Sequence, residues 1–549
     1  MAELGPVPVA IIGGGPVGMM LAMNLDALGV ASVIINTDPT TRWHPKGGTQ
    51  NARTMEHYRR LGLARELRQL GMPQDHPTDV AYFTRLCAWE IARLPMPSEA
   101  EKMRIVATAP PTHQEPEPIL RVNQMYIEAA VFAQLPRRKH IILRYGWTCR
   151  DWREDDDGVA LDLVEEASGK QETLRARYVV GCDGAHSVVR RKLGIRYGGG
   201  DPEKQSYMGG TMVATHVRSR GFYAAVPHKR GYQYWAVNPE IRSNVMVLNG
   251  KDEFLVHSQL ASETDKPDER EIARRIIACV GREIDLEFLV HSTWTAGLAH
   301  VVERYGESRA FLAGDSAHLF TPSGAFGMNT GVDDAVNLGW KLAAVVQGWG
   351  GPKLLATYES ERRPIAFRNT AASKALTRSI GAVPVDPAIE EESPAGVAAR
   401  DKAGRFLSTF AEEFASIGIQ LGARYDGSPI VIADGTAPPP DDPAVYVPSA
   451  TPGGRTPHLW LADRSSLFDH LGLGFTLLRL PGSVGDTVPL EAAAARRGVP
   501  LRVVEIALAE ARDLYRAGLA LVRPDQHVAW RGDALPDDCD ALIARVTGW

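Results

Sequence analysis

Val7-Pro8-Val9-Ala10-Ile11-Ile12-Gly13-Gly14-Gly15-Pro16-Val17-Gly18-Met19-Met20-Leu21 is an apolar run broken only by Pro8, then a cluster of glycines, then apolar residues at helical spacing as far as Leu28. The order reads as strand, turn, helix, and the β-rich run Val30 to Ile35 closes a βαβ unit. Gly13, Gly15 and Gly18 hold the GxGxxG spacing between that strand and helix. The first permits a tight turn, the second lets backbone approach a pyrophosphate, and the third lets helix and strand pack closely, with the helix N-terminus facing the anion. A dinucleotide site is the reading; a glycine-rich turn without a ligand is its competitor. Where an acid usually receives the ribose hydroxyls, the second strand ends on Asn36, whose amide oxygen accepts a hydrogen bond without charge.

Two later strands end on paired Gly and Asp. Tyr178 to Cys182 runs into Asp183-Gly184 and on to Ser187 and Arg190, and Phe311-Leu312-Ala313 runs into Gly314-Asp315, followed by Pro322, Gly324, Gly327, Met328 and Asn329. A helix is expected over Asp333 to Gln347. Between these motifs, from about Gln205 to His257, alternating stretches such as Gly231-Tyr232-Gln233-Tyr234-Trp235 point to an antiparallel sheet. The stretches Gly381 to Gly396 and Ala433 to Pro443 mix prolines with acids and read as linkers or surface loops. Beyond them, Phe475 to Leu480, Leu501 to Ile506 and Gly518 to Val522 read as strands, interleaved with helices over Pro489 to Arg497 and Leu508 to Ala517.

The ordered trio of GxGxxG, Asp183-Gly184 and Gly314-Asp315 resembles the single-component FAD-dependent aromatic monooxygenases, over roughly Val7 to Ala366 and including Gly331 to Ala343. The resemblance implies an α/β fold: a Rossmann-type FAD-binding domain over 1–200 and 296–380, a substrate-binding sheet domain over 201–295, and linking helices over 381–445. The last segment, 446–549, resembles the thioredoxin-like C-terminal domain of the phenol hydroxylase subgroup. Lacking a CxxC pair, it is left a packing or homodimer role. For FAD, the resemblance implies that Asp315 accepts from ribityl hydroxyls and that N–H groups of the turn Pro322 to Asn329 face the flavin pyrimidine edge. Asp183 and Gly184 fall on the pyrophosphate side, Arg190 meets the passing nicotinamide nucleotide, and Lys46, Arg53, Arg121 and Gln124 contact the cofactor. Ala325 stands where many relatives have a third glycine. No second strand-GxGxxG-helix is read, since Gly198-Gly199-Gly200 leads into Asp201-Pro202, and the resemblance implies that NADPH or NADH binds only transiently in a groove.

The implied reaction is hydroxylation of a phenolic substrate with NAD(P)H and O2 through a flavin C4a-hydroperoxide. In phenol hydroxylase an acid precedes the segment corresponding to Gln50-Asn51-Ala52-Arg53, but Gly47-Gly48-Thr49 stands there in this chain, so the proton acceptor is sought in the substrate sheet, at His228, Tyr232 and Tyr234. Tyr232 and Tyr234 share a face by strand alternation. The segment Asp79 to Arg85 resembles chlorophenol hydroxylases and favours a small substituted phenol or catechol over a larger aromatic polyketide. A halogenase or reductase of the same fold, and a non-catalytic flavin-binding protein, are the alternatives; no Trp-x-Trp-x-Ile halogenase motif is present.

Composition fits this picture. The chain has 549 residues, 44% hydrophobic and 23% charged, as in soluble globular proteins of several domains. No apolar run nears the roughly 20 residues of a membrane span. The 61 Lys and Arg against 66 Asp and Glu give a net charge of -5 with no basic block, which argues against nucleic acid. Cys87, Cys149, Cys182, Cys279 and Cys539 form no close pair, and the histidines form no ligand cluster, so neither disulfides nor a metal site are expected. With no basic leader before Val7, the cytoplasm is the expected compartment.

Overall fold

The computed structural model describes residues 6–198, 211–260, 262, 265–295, 299–381, 383, 385–410, 414 and 416–549. Its largest sheet has a parallel core in the order Ala310–Leu312, Gln171–Gly181, Val7–Ile12, Ser32–Asn36, Ile141–Tyr145. Ile12 lies beside Gly181 on one side and Ile35 on the other, and Gly181 lies beside Leu312. One register row thus ends three strands together. The glycine loop, Asp183-Gly184 and Gly314-Asp315, far apart in the chain, leave the sheet at one edge. From Val7–Ile12 the chain crosses to Ser32–Asn36, while Gln171–Gly181 flanks the other side. That reversal is where open parallel sheets bind ligands, outside the strands' carboxyl ends. Helix Pro16–Ala27 packs on the buried helix Phe326–Val346, which begins well before the expected Asp333.

The second sheet has seven strands, ordered Glu287–Thr295, Thr211–Arg218, Glu253–Gln259, Arg242–Val247, Gln233–Val237, Val80–Phe83, Glu90–Leu94. The last two come from outside the 201–295 segment expected to form it. Val80–Phe83 is buried on both faces and runs parallel to Gln233–Val237, so it lacks the alternation that marks its neighbours. One face is covered by helix Glu269–Val280, whose Ile272, Ile276 and Val280 pack with Phe222, Tyr234 and Phe254. Residues 205–210 of the expected alternating stretch, and Gly199-Gly200-Asp201-Pro202, lie outside the described residues.

The C-terminal unit is a four-stranded sheet in the order Leu501–Glu505, Phe475–Arg479, Leu519–Val522, Val528–Gly532, with the first pair parallel and the others antiparallel. With helices Val488–Arg496, Glu510–Tyr515 and Cys539–Val546 it has the β-α-β-α-β-β-α order of a thioredoxin-like domain. The sequence reading stops short of its last strand and helix. The stretch 381–396, expected as linker, contains a 3-10 turn over Pro387–Glu390 and the start of helix Pro394–Ser408; residues 382 and 384 lie outside the described set. Ser393 caps that helix through the N–H of Gly396, with Pro394 at its first position, a start signal that the run of acids obscures. No described helix is long and apolar enough to cross a membrane.

A Cβ at Gly18 would stand 2.0 Å from the carbonyl oxygen of Gly13. Gly18→Ala must therefore push helix Pro16–Ala27 off the strand. Overpacking of this kind costs about 1–3 kcal/mol, and chemical denaturation of the variant should show a loss in that range; parental stability would mean that the helix gives way freely.

Candidate functional site

Two cavities of about 390 Å³ each open at the sheet edge, and both are walled by His44 and Lys46. The first runs along the glycine loop. Gly13 has φ +106°, and a Cβ there would stand 2.3 Å from the carbonyl oxygen of Cys182, so the loop lies directly against the strand that carries Asp183. A Cβ at Gly15 meets nothing within 4 Å; this glycine leaves open space facing the cavity. Asn36 turns inward: its Oδ1 accepts from the Gly14 N–H at 2.9 Å and its Nδ2 donates to the Asp38 carbonyl at 3.0 Å. Asp183 Oδ2 accepts from the Val188 N–H at 2.6 Å, while its buried Oδ1 has no hydrogen-bond partner among the described residues. Burial raises this carboxyl's pKa. Gly184, at φ +77°, turns the chain into helix Val188–Lys192.

Gly314, at φ +62°, turns the chain the same way, and its N–H donates to Asp334 Oδ2 at 3.2 Å. Asp315 follows on this fixed turn. Its carboxylate is solvent-accessible yet recessed among protein groups, which raises its pKa against the pull of His318 and Lys46. It has no hydrogen-bond partner among the described residues. Open backbone at Gly15, an orphaned oxygen on Asp183 and an unengaged carboxylate on Asp315 fit a ligand that carries phosphates and hydroxyls along this edge.

The second cavity lies between the N-terminal end of helix Phe326–Val346 and the face of the seven-stranded sheet opposite helix Glu269–Val280. Pro322, Ser323, Gly324 and Ala325 line it, and no side chain caps this 21-residue helix, so its first N–H groups are directed toward the cavity end. Gly324 has φ +77° and Ala325 φ +53°. Ala325 thus holds a left-handed backbone that glycine adopts freely, at a strain of about 1–2 kcal/mol. Asn329 clamps the turn: its Nδ2 donates to the Ala325 and Thr49 carbonyls at 2.7 and 3.1 Å, and its Oδ1 accepts from the Asn51 N–H at 3.0 Å. Gly327 and Met328, in the helix's first turn, line neither cavity.

On the sheet side, Ala214, Met246, His257 and Ser292 come to one face by strand alternation. Burial holds the His257 ring down to about 4, so it is neutral at pH 7. His44 is also lowered by burial, and its Nε2 lies 3.2 Å from Ser292 Oγ. Tyr232 donates its hydroxyl to the Gly48 carbonyl at 2.9 Å under the Arg121 guanidinium, whose carbon lies 5.5 Å from the ring centre. Burial raises the tyrosine pKa, and Arg121 opposes that rise. Arg121 itself donates to Thr49 Oγ1 at 2.6 Å.

Several expected residues stand elsewhere. His228 directs Nε2 to the Ala88 carbonyl at 2.8 Å and lines neither cavity. Tyr234 accepts from the Gly231 N–H and stacks on Phe83 beneath the sheet's covered face. Tyr232 precedes the strand Gln233–Val237, so alternation does not carry its direction over to Tyr234. Arg53 faces the C-terminal domain, where Gln526 and the Asp525 carbonyl engage it, and it also bonds Glu56 on its own helix. Arg190 is held by Tyr197 and the Ala185 carbonyl. Gln124 bonds the Gly47 carbonyl through its N–H and Glu128 through its side chain, supporting the cavity wall from behind. His318, in the Gly314-Asp315 segment but not a site candidate, is a packed histidine bonded to Asp334. Sequence reasoning missed His257, His44 and Asn123, whose side chain caps helix Gln124–Gln134 and bonds the Lys46 backbone. Alternation in Glu253–Gln259 pairs His257 with Leu255, but nothing in the sequence says which face the cavity takes.

A family model described as an FAD binding domain matches residues 6–373, and one described as an aromatic-ring hydroxylase C-terminal domain matches 449–549. The FAD-dependent monooxygenase apdD of Emericella nidulans is 34% identical, covering 100% of this chain and 91% of that protein. A putative polyketide hydroxylase of Streptomyces halstedii is 28% identical, over 96% and 93%. The solved structure of RebC with bound 7-carboxy-K252c superposes with a TM-score of 0.89 at 32% identity, covering 100% of both chains.

Two substitutions probe the sheet edge where the three motifs meet; Gly15 lines the first cavity, and Asp315 lines neither. Asp315→Ala removes a charge-assisted acceptor worth roughly 1–3 kcal/mol, and titration of the apoprotein should show FAD affinity falling about tenfold or more. Unchanged affinity would remove Asp315 from the site. Gly15→Val should cost little stability, since its Cβ finds open space, while filling the room a pyrophosphate needs; thermal unfolding near the parental value with FAD binding lost is the expected pair of results.

Proposed function

The chain belongs to the FAD-dependent aromatic-ring hydroxylases, and on that premise we propose that it uses NADPH or NADH and O2 to hydroxylate a phenolic ring lying on the sheet face between Tyr232 and His257. When bound, FAD supplies the redox chemistry: one oxygen atom enters the ring, the other leaves as water, and the nicotinamide gives up a hydride. The carrying observation is a cavity that joins an uncapped helix N-terminus to a wall of hydrogen-bonding side chains. N–H groups near Ala325 favour negative charge at that end. At the sheet, a phenol of pKa about 10 needs help to carry negative charge at pH 7. His257, kept neutral, accepts the hydroxyl proton's hydrogen bond, and Arg121 beside Tyr232 favours an anionic oxygen. Ala214, Met246 and Phe414 are apolar walls that keep water from the reacting centre.

Substrate size rests on the cavity. About 390 Å³ is near the lower end of the roughly 300–1,000 Å³ of ligand pockets, and the flavin edge takes part of it, which supports a compact substituted phenol or catechol. Asp79 to Arg85 does not bear on this, because its strand Val80–Phe83 lines neither cavity. A larger polyketide aromatic is the second reading, favoured by the likeness to the putative polyketide hydroxylase. A panel of one-ring and fused-ring phenols, scored for NAD(P)H consumption and hydroxylated product, decides between them. No stimulation by any phenol would favour a non-catalytic flavin protein.

His257→Ala should lower product formed per NAD(P)H consumed by about tenfold, equivalent to roughly 1.4 kcal/mol, with FAD affinity unchanged, and the O-methyl ether of a good substrate should not be hydroxylated. Because burial lowers the His257 ring to about 4, well below an ordinary histidine's roughly 6.5, its neutral form persists throughout pH 6 to 8. The coupling profile should therefore carry no step from this residue in that window. A step near 6.5 abolished by His257→Gln would contradict its assigned state.

A further inference from the structure

Among the contacts between the C-terminal domain and the FAD-binding domain is a buried turn, Arg523-Pro524-Asp525-Gln526-His527, between the domain's last two strands. Asp525 Oδ2 accepts from Asn337 Nδ2 at 3.1 Å and from Trp340 Nε1 at 3.2 Å, both on helix Phe326–Val346. Arg523 places both terminal nitrogens on Glu361, at 2.7 and 2.8 Å, and Glu361 also receives Lys341 Nζ, from the same long helix, at 2.6 Å. Gln526 Oε1 and the Asp525 carbonyl accept from Arg53 at 2.8 and 2.7 Å, on helix Ala52–Arg60. Gln526 adopts φ +63°, a left-handed backbone unusual for its type, and is 1% exposed.

The two helices held by this turn also meet at their N-terminal ends. Asn51, the residue before helix Ala52–Arg60, gives its N–H to Asn329, in the early turns of Phe326–Val346, and Asn329 also holds Thr49. The connections close a ring: C-terminal turn, long helix, Asn329, Asn51, short helix, Arg53, and back to the turn. Asn51, Thr49 and Ala325, at the closing end, all line or bound the second cavity. A helix transmits displacement along its axis because its hydrogen-bonded turns are stiff, so a shift at Trp340 moves the end at Ala325.

We propose that Asp525, with Arg523 and Gln526, is a positioning residue of the FAD site: the C-terminal domain sets where the flavin-facing end of helix Phe326–Val346 stands, and thereby the affinity for FAD and the charge environment at the flavin. The proposal rests on the family's FAD site and not on any particular substrate. Trp340→Phe deletes only the indole N–H that reaches Asp525, and Asp525→Asn keeps an acceptor oxygen while removing the charge. Arg464→Ala is the control: it breaks another contact of this domain, with the Ala107 and Ala109 carbonyls, which belong to neither helix. Full-length holoprotein and apoprotein are measured for thermal unfolding, FAD dissociation constant and flavin absorption spectrum. Asp525→Asn and Trp340→Phe should each weaken FAD binding about threefold to tenfold and shift the flavin bands, non-additively when combined, whereas Arg464→Ala changes the unfolding temperature alone. If Asp525→Asn and Trp340→Phe lower the unfolding temperature but leave FAD affinity and spectrum at parental values, the domain merely packs and the proposal fails. Loss of FAD binding by the parent itself would instead refute the family reading.

Discussion

Everything at this site depends on how closely Gly13 can lie against Cys182 and Asp183. The parallel pairing of Val7–Ile12 with Gln171–Gly181 brings the two strand ends level, and only a residue without a Cβ lets the chain turn there without striking the neighbouring carbonyl. Because Ala310–Leu312 pairs with the other side of Gln171–Gly181, the same row delivers Asp315. Three motifs separated by well over a hundred residues each become one edge through main-chain register, before any of their side chains interact.

That dependence explains what the sequence revealed. Glycines at Gly13 and Gly18, and the acids Asp183 and Asp315, occur in ordered strand-end contexts whose geometry is local, so their placement was legible. Tyr232 was legible only in part: its strand was visible, but its position one residue before the regular pairing was not, and Tyr234 was grouped with it on a periodicity that did not extend so far. His257 and Ser292 face the cavity because two strands distant in the chain, Glu253–Gln259 and Glu287–Thr295, flank Thr211–Arg218. Which face of that sheet is covered by helix Glu269–Val280 is a tertiary fact. Arg53 shows the converse: its spacing in the motif-like Asn51-Ala52-Arg53 segment suggested a cofactor contact, while a loop more than four hundred residues later claims it.

The buried ions between the domains are an expensive way to join two surfaces. Desolvating Glu361, Lys341, Arg523 and Asp525 costs several kcal/mol for each ion before their attraction is counted, and an apolar interface of similar volume is often at least as stable. What charged pairs provide, and apolar contact does not, is a steep penalty for every geometry but one. Trp340 and Asn337 meet Asp525 only in a single rotation of their helix, which suits a junction that must fix an orientation more than it must add adhesion.

His44 and Lys46 wall both cavities, on a segment whose backbone is tied to Asn123. A partition shared by two chambers makes their occupants thermodynamically linked: whatever displaces the segment on filling one chamber alters the free energy of filling the other, and linkage requires the effect to be equal in both directions. Cofactor and substrate affinities are then not separate traits of this protein. A change anywhere in residues 44–48 acts on the pair, so selection on what the second chamber accepts is constrained by what the first must retain.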